Sequence, residues 1–178
     1  VEEIVNKEPA IKSQIAGFET TVQKPVLITD VETTVESRID TNNNELNRVL
    51  GGGLVNGSLV LLGGEPGIGK STLVLQVVLN LKDKRTLYVS GEESVNQLKL
   101  RAERLKFKNP DCYIVSETSL EQVFIHVQNV KPDLVIIDSI QTITTENIES
   151  SPGSVSQVRE CTAALLKFCK TSAIPVLL

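Results

Sequence analysis

Short apolar runs alternate along this chain with longer segments in which apolar side chains recur every three or four positions. Apolar runs of four or five residues predict strands at 58–62, 86–89, 112–115 and 134–137. Segments with the helical period predict helices at 72–81, 95–105, 120–130 and 155–169. Because strands and helices alternate, the pattern predicts an α/β fold with a central, mostly parallel β-sheet flanked by helices. Ligands are then expected at the carboxyl ends of the strands.

The two ends of the chain depart from this pattern. Residues 1–37 are rich in Glu, Thr, Lys and Val and have no helical period, which predicts a leader or linker ahead of a domain at 38–178. The final residues, 174–178, resemble a strand that stops before its end, and the chain contains no methionine. We therefore expect a fragment whose core is truncated at its C-terminal end.

Length and charge narrow the functional classes. The chain has 178 residues, a net charge of −4 and no unbroken apolar stretch near the length of a membrane span. A membrane protein is therefore not predicted. The chain as a whole is not a polycation, so that any binding to nucleic acid must depend on a local patch or on an assembled surface. The three cysteines have no metal-like spacing, and we expect core positions for them.

The strongest chemical signal is the sequence Gly-Glu-Pro-Gly-Ile-Gly-Lys-Ser at 64–71, which lies between a predicted strand and a predicted helix. This G-x-x-x-x-G-K-S pattern is a phosphate-binding loop, in which glycines let successive N–H groups face phosphate oxygens at the positive end of a helix. Lys70 is predicted to reach the β- and γ-phosphates and to assist catalysis. The predicted ATP-binding residues are Gly64, Glu65, Pro66, Gly67, Ile68, Gly69, Lys70, Ser71 and Thr72.

Asp138 ends the fourth predicted strand after four apolar residues, which is the Walker B position. Together with the Ser71 hydroxyl it is predicted to hold Mg²⁺, partly through water. A turn or helix cap is the alternative. Two predicted strands separate the Asp138 strand in sequence from the strand of the phosphate loop, and the chain has no guanine-selecting N-K-x-D sequence. Both features favour ATP and an acidic catalytic base.

Glu92 and Glu93 follow the second predicted strand. A carboxylate at this place is suited to orient and deprotonate the water that attacks the γ-phosphate. Glu92 is the first choice because it comes first after the strand, and Glu93 is expected to turn toward solvent or to cap the next helix. In the alternative interpretation, both are acidic first-turn residues that interact with the helix dipole.

The polar stretch at 149–154 connects the Asp138 strand to the last predicted helix. Such a loop is suited to touch a polymer substrate. An ordinary surface connection with Ser154 as the helix N-cap explains the same residues. The residues by themselves leave both interpretations open.

Several segments together resemble the bacterial RadA (also called Sms) family of DNA repair proteins, a branch of the RecA-like ATPases. Besides the phosphate loop, the matching segments are 38–41, 46–55, 88–94, 100–105, 116–118, 137–141 and 150–160. The last of these, Ser-Ser-Pro-Gly-Ser-Val-Ser-Gln-Val-Arg-Glu, distinguishes this family from RecA-like ATPases in general. The resemblance covers roughly residues 25–178, and it implies a RecA-like P-loop NTPase fold.

The resemblance implies an ATP-driven motor that binds single-stranded DNA and processes recombination intermediates by branch migration or a helicase-like activity. It also implies a ring-shaped homo-oligomer, a hexamer, with a RecA-type recombinase as partner. The implied location is the bacterial cytoplasm, or an organelle in a eukaryote. In that family a four-cysteine zinc finger precedes this region and a Lon-protease-like domain follows it. Zinc is therefore expected only in a finger outside this chain.

The resemblance also bears on individual residues. It supports Glu92 as the catalytic base, and it makes the region 143–159 the counterpart of the first DNA-binding loop of RecA-like proteins. The residues that it implies for DNA binding are Ser151, Gly153, Ser154, Gln157 and Arg159.

Two alternatives share the phosphate loop. One is a KaiC-like signalling ATPase of the RecA superfamily, which has the loop and the paired glutamates but not the Ser-Ser-Pro-Gly-Ser-Val stretch. The other is a nucleotide-responsive oligomerisation module in which ATP sets the oligomeric state without motor activity.

Overall fold

The computed structural model describes residues 25–31 and 37–178. The chain divides into two compact units, Val1–Val35 and Glu36–Leu178. The described residues of the first unit form a single 3-10 turn, Ile28–Asp30. Most of the predicted leader lies outside the described residues, and its interpretation as a linker stays a prediction.

The second unit carries the regular elements. Its helices are α1 (Asn44–Val49), α2 (Lys70–Asn80), α3 (Val95–Leu105), α4 (Leu120–Val130) and α5 (Val155–Ser172). Its strands are β1 (Arg38–Ile39), β2 (Leu54–Val55), β3 (Leu59–Val60), β4 (Thr86–Ser90), β5 (Cys112–Ser116), β6 (Leu134–Asp138) and β7 (Val176–Leu177). A 3-10 turn, Ile140–Thr142, follows β6.

Serine side chains begin three of the helices. Ser94, Ser119 and Ser154 each accept a hydrogen bond from the backbone N–H three residues later, at the starts of α3, α4 and α5. Each bond satisfies an N–H group that has no partner within its helix. The local sequence thus sets where these helices begin.

The main sheet has five parallel strands in the order β3-β7-β6-β4-β5, and β1 pairs with β2 in a separate antiparallel pair. The prediction of a parallel α/β sheet flanked by helices is confirmed. In space, β7 lies between the strand that precedes the phosphate loop and β6. The register of β4 against β6 places Ser90 beside Asp138, so that both strands end at the same edge.

The core lies around α2 and the neighbouring strands β4 and β6. All five residues of β4 are buried, as are the first four of β6. Five residues of α2 are buried, Val74, Leu75, Val77, Val78 and Leu79, so that this helix is covered on most of its sides. The phosphate loop therefore stands between a strand of the sheet and a helix held firmly against it.

The first strand is shorter than its apolar run. The pattern predicts a strand over 58–62, but the regular part of β3 is Leu59–Val60. The ladder continues irregularly, since the Leu62 N–H donates to the Leu178 carbonyl at 2.8 Å. Leu61 is 70% exposed because β3 ends the sheet in the described part of the chain.

Candidate functional site

The phosphate loop joins β3 to α2 and depends on left-handed backbone at two glycines. Gly67 has φ 81° and Gly69, the N-cap of α2, has φ 101°. Side chains other than glycine are strained at such angles. Among the described residues, no atom beyond the chain neighbours lies within 4 Å of the place that a Cβ would take at either glycine. The two glycines thus hold an open, curled backbone.

Lys70 lies across this loop. Its Nζ donates to the Gly64 carbonyl at 2.8 Å and to the Glu65 carbonyl at 3.0 Å. The first turn of α2 contains no acidic residue, and no side chain caps its N–H groups. A helix N-terminus without a competing carboxylate attracts anions. The backbone, the helix end and the ammonium group therefore fit the phosphates of a nucleotide.

Asp138, the last residue of β6, is half-buried. Its Oδ2 accepts a hydrogen bond of 2.6 Å from the Tyr88 hydroxyl on the neighbouring strand β4. Burial, and then the hydrogen bond to Asp138, raise the pKa of the Tyr88 phenol far above its usual range. The phenol is therefore a donor at neutral pH. A carboxylate is the hard oxygen ligand that Mg²⁺ prefers, so that Asp138, with the Ser71 hydroxyl in the first turn of α2, could hold such an ion.

Tyr88 is a residue of the site that the sequence analysis missed. The only signal was a tyrosine within a strand of buried residues, where its hydroxyl needs a polar partner. The sequence does not tell which partner, because Tyr88 and Asp138 are separated by 50 positions.

Glu92 and Glu93 point to different partners. Glu92 is exposed, and the Ser139 hydroxyl donates to its Oε1 over a long 3.4 Å. Glu93 forms an ion pair with Arg101 of α3, and both of these side chains are about one quarter exposed. The structure therefore keeps Glu92 available at the end of β4, next to the residue that follows Asp138.

The expectations for the surroundings of these glutamates are wrong in two respects. Glu93 neither turns to solvent nor caps α3, because Arg101 binds it and Ser94 with Gln97 forms the cap. The first turn of α3 contains no acidic residue, so that the helix-dipole interpretation also fails. The catalytic role of Glu92 stays a prediction.

The turn that carries Glu92 packs against the chain that follows β6. The Gly91 N–H donates to the Asp138 carbonyl at 3.0 Å. A Cβ at Gly91 would lie 1.8 Å from Thr142 Oγ1 and 2.4 Å from its Cβ, closer than real atoms approach. The Thr142 hydroxyl donates to the Ser139 carbonyl at 2.7 Å. Only glycine therefore fits between Glu92 and the 3-10 turn.

Residues 143–154, here called the post-β6 loop, are organised by Gln157 of α5. Gln157 is 2% exposed, its Oε1 accepts from the Thr145 N–H at 3.0 Å, and its Nε2 donates to the Thr145 and Ser150 carbonyls at 3.2 Å each. The prediction that Gln157 contacts DNA is thus corrected. A buried amide has a donor and an acceptor for the backbone of an irregular loop, and here both are used within the protein.

Glu121 of α4 holds the other side of the same loop. Its carboxylate accepts from the Thr145 hydroxyl at 2.5 Å and from the Ser119 hydroxyl at 3.0 Å. Burial by itself raises the pKa of Glu121, but these hydrogen bonds, together with backbone N–H groups, outweigh it and hold the pKa below its usual range. The group is therefore an ionised acceptor at neutral pH.

The other residues expected at DNA lie in the post-β6 loop and at the start of α5. Ser151, Gly153 and Arg159 are exposed, whereas Ser154 is half-buried and caps α5. Exposed Glu146 and Glu149 occupy the same loop, as the sequence and burial pattern show. Among the exposed charged groups of this loop and of the adjoining start of α5, the two carboxylates, Glu146 and Glu149, outnumber the single cation, Arg159.

Within residues 25–31 and 37–178, no helix is long and apolar enough to cross a membrane. Nor do the described residues contain a group of three or more His, Cys, Asp and Glu side chains that could hold a metal ion. An ion at Asp138 would thus need oxygen ligands from a bound nucleotide and water.

Comparisons with known proteins agree with this geometry. A family model described as an AAA domain matches residues 24–178. The DNA repair protein RadA of Bacillus subtilis is 53% identical over 99% of this chain and 39% of its own length. The RadA proteins of Listeria monocytogenes and Halalkalibacterium halodurans are 52% and 54% identical, over 95% and 87% of this chain and 38% and 34% of their own lengths.

The chain thus spans less than two fifths of the length of these curated relatives, up to 39%. The match nevertheless includes the phosphate loop, Asp138 and the post-β6 loop, since the family model covers all three. The chain belongs to the AAA domain family and has the RecA-like core of the bacterial RadA proteins.

Proposed function

We propose that this chain binds ATP with Mg²⁺ at the phosphate loop and hydrolyses it as the ATPase core of a DNA repair and recombination protein. One observation carries the proposal. The phosphate loop and Glu92 follow the strands β3 and β4, and Asp138 ends β6 of the same parallel sheet, at the edge where such sheets bind ligands.

Each residue has a distinct part in this proposal. Lys70 exchanges its two carbonyl acceptors for phosphate oxygens, and the N–H groups that open α2 bind the same phosphates. Ser71 and Asp138 would hold Mg²⁺, which supplies positive charge where negative charge develops during phosphoryl transfer. Glu92 orients the attacking water and accepts its proton.

The action on DNA is proposed from the relatives, which are named DNA repair proteins. We propose that the complete protein binds single-stranded DNA in recombination intermediates and drives branch migration or a helicase-like activity. It would work in the bacterial cytoplasm with a RecA-type recombinase. Exposed Ser151, Gly153 and Arg159, with half-buried Ser154, would form the contact surface of each copy.

Because of the charge of this surface, we expect a single copy to bind single-stranded DNA too weakly. Glu146 and Glu149 repel phosphates, and Arg159 alone offsets only part of this repulsion. A ring of copies, a hexamer in this proposal, presents several loops to one strand, so that weak contacts add through high effective concentration. Backbone N–H groups at the loop tip bind phosphate without a charged side chain.

The test measures ATP turnover by the full-length protein with and without single-stranded DNA. We expect DNA to stimulate turnover, and we expect Lys70→Ala to abolish nucleotide binding. Glu92→Gln should lower turnover about 100-fold or more while nucleotide still binds, since general-base catalysis contributes about 10²–10⁴-fold. Glu93→Gln is the matched control, and it should retain most of the turnover because Glu93 is occupied by Arg101.

Other outcomes identify other functions. Full turnover by Lys70→Ala would contradict the proposed site. Turnover without DNA stimulation, together with phosphate retained on the protein, would indicate a KaiC-like signalling ATPase. Normal DNA processing by Glu92→Gln would indicate an assembly module in which ATP sets only the oligomeric state.

A further inference from the structure

Tyr88 is the one fully buried side chain whose polar atom reaches the candidate metal site among the described residues. It is 0% exposed in the middle of β4, and its hydroxyl lies 2.6 Å from Asp138 Oδ2. The neighbours of Tyr88 along β4, Leu87 and Val89, are apolar and equally buried. A phenylalanine would fill the same space without a polar group to satisfy. The hydroxyl therefore needs an explanation beyond packing.

We propose that Tyr88 is a positioning residue that holds the Asp138 carboxylate in the orientation that Mg²⁺ requires. This inference rests on the proposed function, because it assigns a role at the same metal site. In this proposal Tyr88 is not itself a ligand of the nucleotide or the metal. It acts through its hydrogen bond to Asp138.

The position of Asp138 in the sheet does not by itself orient its carboxylate. It is the last residue of β6 and only half-buried, so that its side chain would otherwise choose among rotamers and water partners. The Tyr88 ring is fixed by the core, and its hydroxyl fastens one carboxylate oxygen. The second oxygen then faces a defined direction. Mg²⁺ demands near-ideal octahedral geometry, so that a fixed carboxylate, or a fixed water held by it, raises its affinity.

The experiment compares Tyr88→Phe with wild type in the full-length protein. The readout is binding of a fluorescent ADP analogue at increasing Mg²⁺ concentration, with an EDTA arm that reports nucleotide binding without metal. We expect the half-saturating Mg²⁺ concentration to rise about tenfold, as loss of one hydrogen bond to a charged group predicts. Affinity in EDTA should not change, because the phosphate loop is untouched.

The control is Tyr113→Phe. Tyr113 is the chain's other tyrosine, lies on β5 and is 46% exposed. The Tyr113→Phe variant should show an unchanged Mg²⁺ dependence of nucleotide binding. A merely structural role for Tyr88 would lower the melting temperature of Tyr88→Phe and weaken binding equally with and without metal. That result would overturn the inference, as would an unchanged Mg²⁺ dependence.

A second variant covers the case in which Tyr88→Phe folds poorly. Tyr88→4-aminophenylalanine retains a donor at the end of the ring and should keep the half-saturating Mg²⁺ concentration within about twofold of wild type, since the hydrogen bond is preserved. A rise of about tenfold in this variant would also contradict the inference. Lys70→Ala distinguishes failure of this inference from failure of the proposed function. If Lys70→Ala still binds the nucleotide analogue, the proposed nucleotide site itself is wrong.

Discussion

The phosphate loop and the post-β6 loop are both irregular segments next to the carboxyl edge of one sheet, but they are built in different ways. The phosphate loop is shaped by backbone conformation at Gly67 and Gly69, with one lysine bonded to its carbonyls. The post-β6 loop is held by side chains from two helices, Gln157 of α5 and Glu121 of α4.

The two loops should therefore be disrupted by different kinds of substitution. The side chains of Glu65, Pro66 and Ile68 in the phosphate loop are exposed, so that its shape does not depend on them. Its glycines and Lys70 carry the shape and the charge. In the post-β6 loop, one buried amide satisfies several backbone groups, and removing it leaves them without partners. Three variants test this contrast.

The largest effect is expected from Gly69→Ala. A φ of 101° is strained for alanine, and the loop must change to relieve it. We expect affinity for a fluorescent ADP analogue to fall about 100-fold, within what about 1–3 kcal/mol of strain allows. Ile68→Ala is the matched control, because alanine keeps the backbone N–H through which this position is predicted to bind and the side chain removed is 71% exposed; the affinity of this variant should change less than about twofold. Equal losses in both variants would show that side chains, not backbone, shape the loop.

A smaller and local effect is expected from Gln157→Ala. The change removes the amide that binds Thr145 and Ser150, at about 2 kcal/mol for the buried groups left unsatisfied. Hydrogen exchange at residues 143–150 should accelerate about 30-fold, while exchange in α2 stays unchanged.

Gln128→Ala, at an exposed position of α4, is the control for that measurement and should leave exchange in the post-β6 loop unchanged. Unaltered protection of the post-β6 loop in Gln157→Ala would mean that the loop is stabilised by its own backbone, as the phosphate loop is.

The smallest effect is expected from Arg159→Ala. This residue is exposed next to Glu160 and near the carboxylates of the post-β6 loop, so that its net attraction for phosphates is weak. Affinity of the full-length protein for single-stranded DNA should fall about threefold, and the salt dependence of binding should become shallower, since one phosphate contact is lost per copy. Lys131→Ala, at the far end of α4, is a control of equal charge change. If both variants lower affinity equally, Arg159 is not part of a DNA surface.

Local sequence predicted much of the candidate site because some of its parts are local in the chain. The phosphate loop is complete within eight successive residues, 64–71, and the strand and helix on either side are formed by their own apolar periods. The serine N-caps of three helices are equally local. The sequence pattern also predicted that Glu92 follows one strand and that Asp138 ends another, although their roles remain to be tested.

What failed was the prediction of partners for side chains. Glu93 was expected at the helix start or in solvent, yet Arg101, eight residues later, binds it. Gln157 was expected at DNA, yet it binds backbone groups that precede it by seven to twelve residues. In both cases burial determines the partner of the side chain, because a polar group that leaves water must find a partner inside the protein.

The family resemblance, the alternation of strands and helices and the phosphate loop could all be predicted from residues that are neighbours in the chain. The folded protein was needed to show that β7 separates β3 from β6, that Gly91 contacts Thr142, and that Tyr88 donates a hydrogen bond to Asp138. These contacts join residues far apart in the chain, because the strand order brings them together and sterics and hydrogen bonding then select the partners.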